Sequence, residues 1–329
     1  MPTVVITGAA GLLGRGFRQA LLARGWAVRG VDVRPGPGVT VGDVSRPGAW
    51  RDVLVGADLV VHAAAVTTES GDPAQFWRVN VEGTRTVLEE AARAEVGRVL
   101  HLSATVVHGR AFPDGVDETG PVHMTGSPYT DTTVAAEHQA LLAAAAGRVP
   151  VTVVRLGEVY GPHSQMWTVR PVELMRRGLF VLLDGGSGVL SPTYVDDAVD
   201  GGLTAALADR GVGEVFHITG GHGVPTADYF GAYADVLGVR LRGLHPMAAA
   251  AVAGPLGLVS RAVGWHPPLS SRSIEYVSHP GTYSIAKAGR VLGWSPQVSL
   301  EEGMERTTEW LAETGLLPRP PEDDVGDAG

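Results

Sequence analysis

One stretch narrows the possible folds more than any other. An apolar run, Thr3–Thr7, leads into Gly8-Ala9-Ala10-Gly11-Leu12-Leu13-Gly14 and then into a helical segment over 11–24. Gly8 permits a tight turn, Gly11 lets the backbone approach a diphosphate, and Gly14 lets the helix pack closely on the strand. The helix N-terminus, where Leu12 and Leu13 present their amides, then faces phosphate charge. Three glycines are a weak signal in a chain with 45 of them. The context strengthens it: a strand before, a helix after, and Asp32 closing the next apolar run, Ala27–Asp32. A carboxylate there accepts hydrogen bonds from a ribose diol and repels a 2′-phosphate, so the pattern predicts NAD. Arg34 tolerates that phosphate, which keeps NADP open.

Further apolar runs follow at Leu59–His62, 98–103 and Val151–Leu156, alternating with helical stretches at 74–94 and 129–146. Strand and helix in alternation predict parallel strands with right-handed crossovers, hence an α/β fold with a doubly wound parallel sheet. Runs of Val, Ile and Leu fit strands buried on both faces. Residues 1–160 are therefore expected to form a dinucleotide-binding domain, rejoined by about 189–220, where a strand is read at 214–219. From Gly161 the pattern loosens, and residues 161–317 are expected to form mainly a smaller substrate-binding subdomain. Its last helix, Leu300–Glu313, has Ser299 as a cap and Glu302 three residues on. Residues 318–329 (PRPPEDDVGDAG) have the composition of a disordered tail.

The net charge of −9 argues against nucleic acid as a partner, which requires clustered Lys and Arg. Cysteine is absent, so disulfides and thiolate chemistry are excluded, and no histidine spacing suggests a metal site. The stretch 247–259 is apolar but short and broken by Pro255, which fits a packing or lid helix better than a membrane contact. An apolar strand beginning at Val4 leaves little room for a targeting segment, so a cytoplasmic protein is expected.

Several motifs together resemble the extended short-chain dehydrogenases/reductases, also called the NAD-dependent epimerase/dehydratase family. They are TGAAGLLG (7–14), Asp43-Val44, His62-Ala63-Ala64-Ala65, Asn80-Val81-Glu82-Gly83-Thr84, LSATVVHG (102–109), Pro128-Tyr129, RLGEVYGP (155–162) and Tyr194-Val195-Asp196-Asp197. The segment GTYSIAKAGRVLGWSPQVSLEEGM looks most like the branch containing 3β-hydroxysteroid dehydrogenase-like proteins. The resemblance implies a Rossmann domain whose cofactor contacts include Gly8, Ala10, Gly11, Leu12, Leu13, Gly14, Asp32, Asp43, Val44, Ala63, Ala64, Ala65, Asn80 and Tyr129. It also implies a homodimer built on the helices at 74–94 and 129–146.

The chain departs from the family's chemistry at two points. The family uses a Ser or Thr, a Tyr, and a Lys four residues after the Tyr. Tyr129 matches, but Thr133 stands at the lysine position and Ala104 at the hydroxyl position. Ser103 and Thr105 carry hydroxyls in shifted register, so Tyr129, Ser103, Thr105 and Thr133 are the catalytic candidates. The single lysine, Lys287, falls in a segment that matches elsewhere. A free tyrosine has a pKa of about 10, and lowering it by about three units takes about 4 kcal/mol. Without the ammonium, Tyr129 should stay protonated, a poor base but a serviceable acid.

On the substrate side, Glu158 stands where nucleotide-sugar enzymes often carry Asn, and Leu190 where they often carry Arg. Neither suits a diphosphate, and Arg155, Arg170, Arg176 and Arg177 are the candidates to compensate. Met166, Trp167, Met175, Leu179 and Phe180 suggest an apolar wall, with Trp167 and Glu158 as substrate contacts. The expected protein is an NAD(P)-dependent ketoreductase or alcohol dehydrogenase acting on a cyclic, polyketide- or steroid-like small molecule. The alternatives are a nucleotide-sugar epimerase/dehydratase and a non-catalytic NAD(P)-binding sensor or scaffold.

Overall fold

The computed structural model describes residues 1–68, 71–109, 111–244 and 279–317. The expectations for 247–259 and 318–329 lie outside these residues.

The chain opens with β1 (Thr3–Thr7), α1 (Leu12–Ala23), β2 (Ala27–Asp32), β3 (Val39–Val41) and β4 (Leu59–His62). A short α2 (Pro73–Phe76) passes through a π-helical turn (Trp77–Glu82) into α3 (Gly83–Arg93). The single helix expected at 74–94 is thus interrupted. Then come β5 (Arg98–Ala104), a 3₁₀ turn (Thr105–His108), α4 (Pro128–Ala145), β6 (Val151–Leu156) and β7 (Glu158–Tyr160). The later part holds a π turn (Gln165–Val169), α5 (Arg170–Arg176), β8 (Val181–Leu183), β9 (Val189–Leu190), β10 (Pro192–Tyr194) and α6 (Val195–Leu207). It continues with β11 (Val215–Ile218), β12 (Val224–Pro225), α7 (Thr226–Leu237), β13 (Arg242–Leu244) and, past 279, α8 (Leu300–Glu313).

Seven strands form one parallel sheet in the order β11-β6-β5-β4-β1-β2-β3. All residues of β1, β4 and β6 are buried, as strands covered by helices on both faces must be. The order reverses between β1 and β4, and a crevice opens there beyond the carboxyl ends of the strands. On one face of the sheet Phe17, Leu21, Leu100, Leu203 and Phe216 share a core, and on the other Trp50, Val60, Val87, Val99 and Ala140 do.

The pieces after residue 160 are more regular than their sequence suggests. α6 and α7 are helices of 13 and 12 residues, and the short strands pair as β7–β10, β9–β12 and β8–β13. Ser299 caps α8, its hydroxyl accepting the amide of Glu302 at 3.1 Å. Lys287 donates to the Val215 carbonyl at 2.8 Å and pairs with Glu214 at 2.7 Å. That places its ammonium at the amino end of β11, away from the crevice. No helix among the described residues is long and apolar enough to cross a membrane.

Candidate active site

The strand ends at the crevice form a strip of partly exposed residues along an otherwise buried edge. Gly8, Ala10, Gly11, Leu12, Leu13, Asp43, Ala63, Ala64, Leu102, Ala104 and Tyr129 are half-buried there, and Ala65 is exposed. Gly8 has φ +68°, and a Cβ on it would stand 2.6 Å from the Ala63 carbonyl oxygen. The turn therefore needs glycine both for its backbone angle and for its approach to the loop after β4. A Cβ on Gly14 would stand 2.2 Å from the Gly8 carbonyl oxygen. Gly11 precedes α1 with no side-chain cap, and the first turn of α1 holds no acidic residue. Its amides and the positive end of the helix dipole are left for an anion.

Asp32 ends β2 and is buried, one oxygen accepting the Ala10 amide at 2.9 Å and the other the Arg34 amide at 2.9 Å. The Arg34 guanidinium returns to that second oxygen at 3.4 Å. Asp43 accepts both the amide and the hydroxyl of Ser45, at 2.9 and 2.6 Å. Burial pushes its carboxyl up, but these bonds and the charges of Arg46 and Arg78 leave it below the ordinary value. Val44 is buried against the start of α3, where a Cβ on Gly83 would stand 3.2 Å from its methyl.

Asn80 holds the loop after β4. Its side chain accepts the Val66 amide at 2.7 Å and donates to the Val66 carbonyl at 3.1 Å and to the Thr132 hydroxyl at 3.0 Å. His62 continues the clamp. The Thr84 hydroxyl donates to the Asn80 carbonyl at 2.6 Å, so it accepts from His62 Nε2 at 3.0 Å. His62 Nδ1 is then free of a proton and accepts the Thr7 hydroxyl at 2.7 Å.

Alternation along β5 divides the catalytic candidates. His101 and Ser103 are buried, while Leu102 and Ala104 are partly exposed. The Ser103 hydroxyl donates to Glu137 of α4 at 2.6 Å, which ties it to the same helix that carries Tyr129. Thr105 and Tyr283 are both buried. The two are neighbours: burial raises the Tyr283 phenol and the Thr105 hydroxyl works against it. Tyr129 lies in the first turn of α4, and Thr133 donates to its carbonyl at 2.7 Å. Burial pushes the Tyr129 phenol up to about 12, opposed by hydrogen bonding with the Thr133 hydroxyl.

Behind the crevice runs a buried polar chain that sequence reasoning missed. Glu137 and Arg155 pair through three contacts, Nη2 to Oε1 at 2.6 Å and Nε to Oε2 at 3.0 Å and to Oε1 at 3.2 Å, both side chains about 5% exposed. Arg155 Nη1 meets His108 Nε2 at 3.1 Å, and His108 Nε2 meets His217 Nε2 at 3.0 Å. The His217 amide donates to Glu118 at 2.8 Å. Arg155 is therefore spent on Glu137 and is not a ligand for a diphosphate. The signal was present: Glu137 lies eight residues from Tyr129, two turns along α4, level with Ser103 and Arg155, which are paired in register on β5 and β6.

Tyr283, Phe112, His108 and His217 form a ring cluster, with Phe112 and Tyr283 stacked at 5.0 Å between centroids. Glu158 lies beside it, fully buried, accepting the Ser191 amide at 2.6 Å. Leu190 belongs to the core and contributes no polar group. Trp167 is half-buried, its carbonyl accepting the Tyr229 hydroxyl at 2.7 Å. The expected apolar wall is not continuous, because Met175 is core and Leu179 is 55% exposed. His123 and His138 are exposed.

A family model described as "NAD dependent epimerase/dehydratase family" matches residues 4–219. A 4-hydroxy-2-methyl-3-oxo-4-farnesyl-3,4-dihydroquinoline-1-oxide ketoreductase of Stigmatella aurantiaca is 29% identical over 319 residues, 91% of this chain and 94% of that protein. A dTDP-glucose 4,6-dehydratase of Streptomyces antibioticus is 30% identical over 336 residues, 93% of this chain and 91% of that protein. Among solved structures, MoeE5 in complex with UDP-glucose and NAD superposes with a TM-score of 0.78 at 27% identity, covering 95% of this chain and 99% of that one.

Proposed function

Because the chain belongs to the NAD-dependent epimerase/dehydratase family of extended short-chain dehydrogenases/reductases, we propose that it is an NADH-dependent ketoreductase acting on a non-nucleotide small molecule. One observation carries this reading: Tyr129 opens α4 with Thr133, not a lysine, one turn along bonded to its carbonyl, and burial raises its phenol. The similarity to a ketoreductase over 91% of the chain supports it.

The residues fit the dinucleotide. The uncapped start of α1, the Gly8–Gly14 loop and the buried Asp32 supply amide donors, close approach and a diol acceptor. Ala63, Ala64 and Ala65 offer small side chains along the same edge. Asp32 disfavours a 2′-phosphate, and Arg34 is held by Asp32 itself, so NAD(H) is preferred over NADP(H). When bound, the nicotinamide supplies the hydride to a carbonyl carbon. Tyr129 then donates its phenolic proton to the carbonyl oxygen as negative charge develops there. A phenol with a raised pKa gives up its proton to an alkoxide but takes none from an alcohol at neutral pH. Ketone reduction is favoured over alcohol oxidation for that reason. The epimerase and dehydratase cycles open with oxidation, and the dTDP-glucose relative keeps that second reading in view. The buried Leu190 and the acidic Glu158 weigh against a nucleotide diphosphate.

NADH consumption across a panel of cyclic and alkyl ketones tests the proposal. Tyr129→Phe is expected to lower kcat by about 10²–10⁴-fold, the usual yield of a positioned acid. Unchanged reduction in that variant would move proton delivery to water or to the substrate. Thr133→Lys is expected to restore an ammonium one helical turn from Tyr129 and to raise alcohol oxidation relative to ketone reduction. A ratio that stays put sinks the assignment of direction to this position. Purified protein that releases stoichiometric NAD on denaturation favours the epimerase or dehydratase reading instead.

Gly14→Ala tests the loop. No Cβ fits 2.2 Å from a carbonyl oxygen, so the loop must shift. NADH affinity is expected to fall at least tenfold, with a stability loss of about 1–3 kcal/mol. Fluorescence titration of NADH reads the first and urea unfolding the second. Wild-type affinity in this variant overturns the requirement.

A further inference from the structure

A cavity of about 590 Å³ lies outside the crevice, in the substrate-side part of the chain. It sits between the end of α5 and the start of β8 on one side and the connection from α7 into β13 on the other. Met175, Phe180, Val239 and Leu241 line it with apolar surface, and Arg240 and Arg242 bring charge. The walls are anchored: Met175 is buried, and Phe180 packs on Phe230 of α7 with ring centroids 4.8 Å apart. The volume falls within the range of about 300–1,000 Å³ typical of small-molecule sites.

The charge at this place is out of keeping with the rest of the molecule. The chain carries a net −9, and most of its arginines with described contacts hold a carboxylate or a backbone carbonyl. Arg240 and Arg242 are exposed, and among the described residues neither has a carboxylate within ion-pair distance. Arg176 and Arg177, next to Gly178 of the same lining, are exposed and likewise without a carboxylate partner among the described residues. Two exposed guanidinium groups on one lining repel one another, and a bound anion relieves that repulsion. A guanidinium suits a carboxylate or phosphate because its planar fork donates two parallel hydrogen bonds. An anion alone, however, would leave the apolar walls unused.

We propose that this cavity binds an amphipathic anion, with an apolar chain or ring between Met175, Phe180, Val239 and Leu241 and a carboxylate or phosphate on Arg240 and Arg242. The site is separate from the crevice, and its occupancy does not depend on which reaction the crevice catalyses.

Isothermal titration of the full chain with dodecanoate, in the presence and absence of saturating NADH, tests the inference. Dodecanoate is expected to bind in the micromolar range with the same affinity in both conditions. Hexanoate should bind at least about tenfold more weakly, since each buried methylene contributes to affinity. The double variant Arg240→Ala/Arg242→Ala should weaken dodecanoate at least about tenfold, and two exposed side chains can be truncated without unfolding the protein. Three results overturn the proposal. The first is no binding of dodecanoate. The second is equal binding of dodecanol or inorganic phosphate, which removes the need for charge or for the apolar walls. The third is dodecanoate affinity untouched by the double variant or abolished by NADH, which puts the ligand elsewhere.

Discussion

Arg155→Met is expected to destabilise the protein by about 3–5 kcal/mol, the effect of leaving a buried charge without its partner. Glu137 is about 4% exposed and takes all three of its charged contacts from Arg155, leaving only the Ser103 hydroxyl once the guanidinium is gone. The carboxylate must then either stay charged in a poor solvent or take up a proton, and both routes favour the unfolded chain. Glu137→Leu should cost a similar amount for the converse reason, an uncompensated guanidinium. The double variant, Glu137→Leu with Arg155→Met, should recover most of the loss, because two apolar side chains need no solvation. Urea unfolding of the four proteins reads the cycle directly. Additive losses, with the double variant as unstable as the sum of the singles, would show that the pair does not act as a unit.

The second large effect is acid lability between pH 7.5 and 5.5. Burial holds His62 neutral, its pKa lowered to about 3, and His101 likewise at about 4. Burial, the Arg155 charge and their mutual proximity also hold His108 and His217 below the ordinary value. All four are less than 5% exposed. An imidazole whose pKa is lower in the folded than in the unfolded chain gains its proton only on unfolding. Its stabilisation is complete above pH about 6.5 and is lost as pH falls towards the folded value. Each such group removes about 1.4 kcal/mol per pH unit in that window. Four of them remove about 6 kcal/mol at one unit below 6.5, comparable to the lower end of whole-domain stabilities of about 5–15 kcal/mol. Carboxylates with ordinary pKa values near 4 stay ionised over this range and contribute little to the slope. His101→Leu isolates one contribution. Both of its ring nitrogens are unpartnered, so nothing is lost on removing them, and the variant should be more stable than wild type at pH 5.5 by about 1–2 kcal/mol. Stability that is flat between pH 7.5 and 5.5 would mean that these histidines are charged in the folded protein.

The parts of the fold that were legible in the sequence are those in which one local pattern decides the outcome. β1, the glycine turn and α1 follow from five apolar residues and three glycines, and β4 and β6 from unbroken apolar runs. α6 was harder to see because Gly201 and Gly202 sit inside it, and each costs about 1 kcal/mol of helix propensity. Tertiary contact outweighs that cost: a Cβ on Gly202 would stand 2.8 Å from the Phe17 ring, so the glycine is what lets α6 close on α1. The three-residue edge strand β3 and the π turn at Trp77–Glu82 leave no periodic trace at all. In the site, the replacements at Ala104 and Thr133 were visible residue by residue. That Ser103 bonds Glu137 was not visible, because one step along a strand reverses the face and the sequence does not show which face meets which helix. The Glu137–Arg155–His108–His217 chain joins α4, β6, the turn after β5 and β11, partners separated by up to 109 residues.

β11 has a consequence for how such a protein can be divided. The strand comes from the later part of the chain, yet it pairs in parallel with β6 along four positions of the main sheet. All six residues of β6 are buried, and β11 covers its outer backbone. A fragment ending after β6 would turn that strand into a bare apolar margin, open to pairing with other chains. The parts of the chain before and after β6 are thus interlocked rather than modular. Exchanging the later part of the chain on this scaffold requires three junctions, one after β6 and one on each flank of the returning strand, so that β11 stays behind with the sheet it completes.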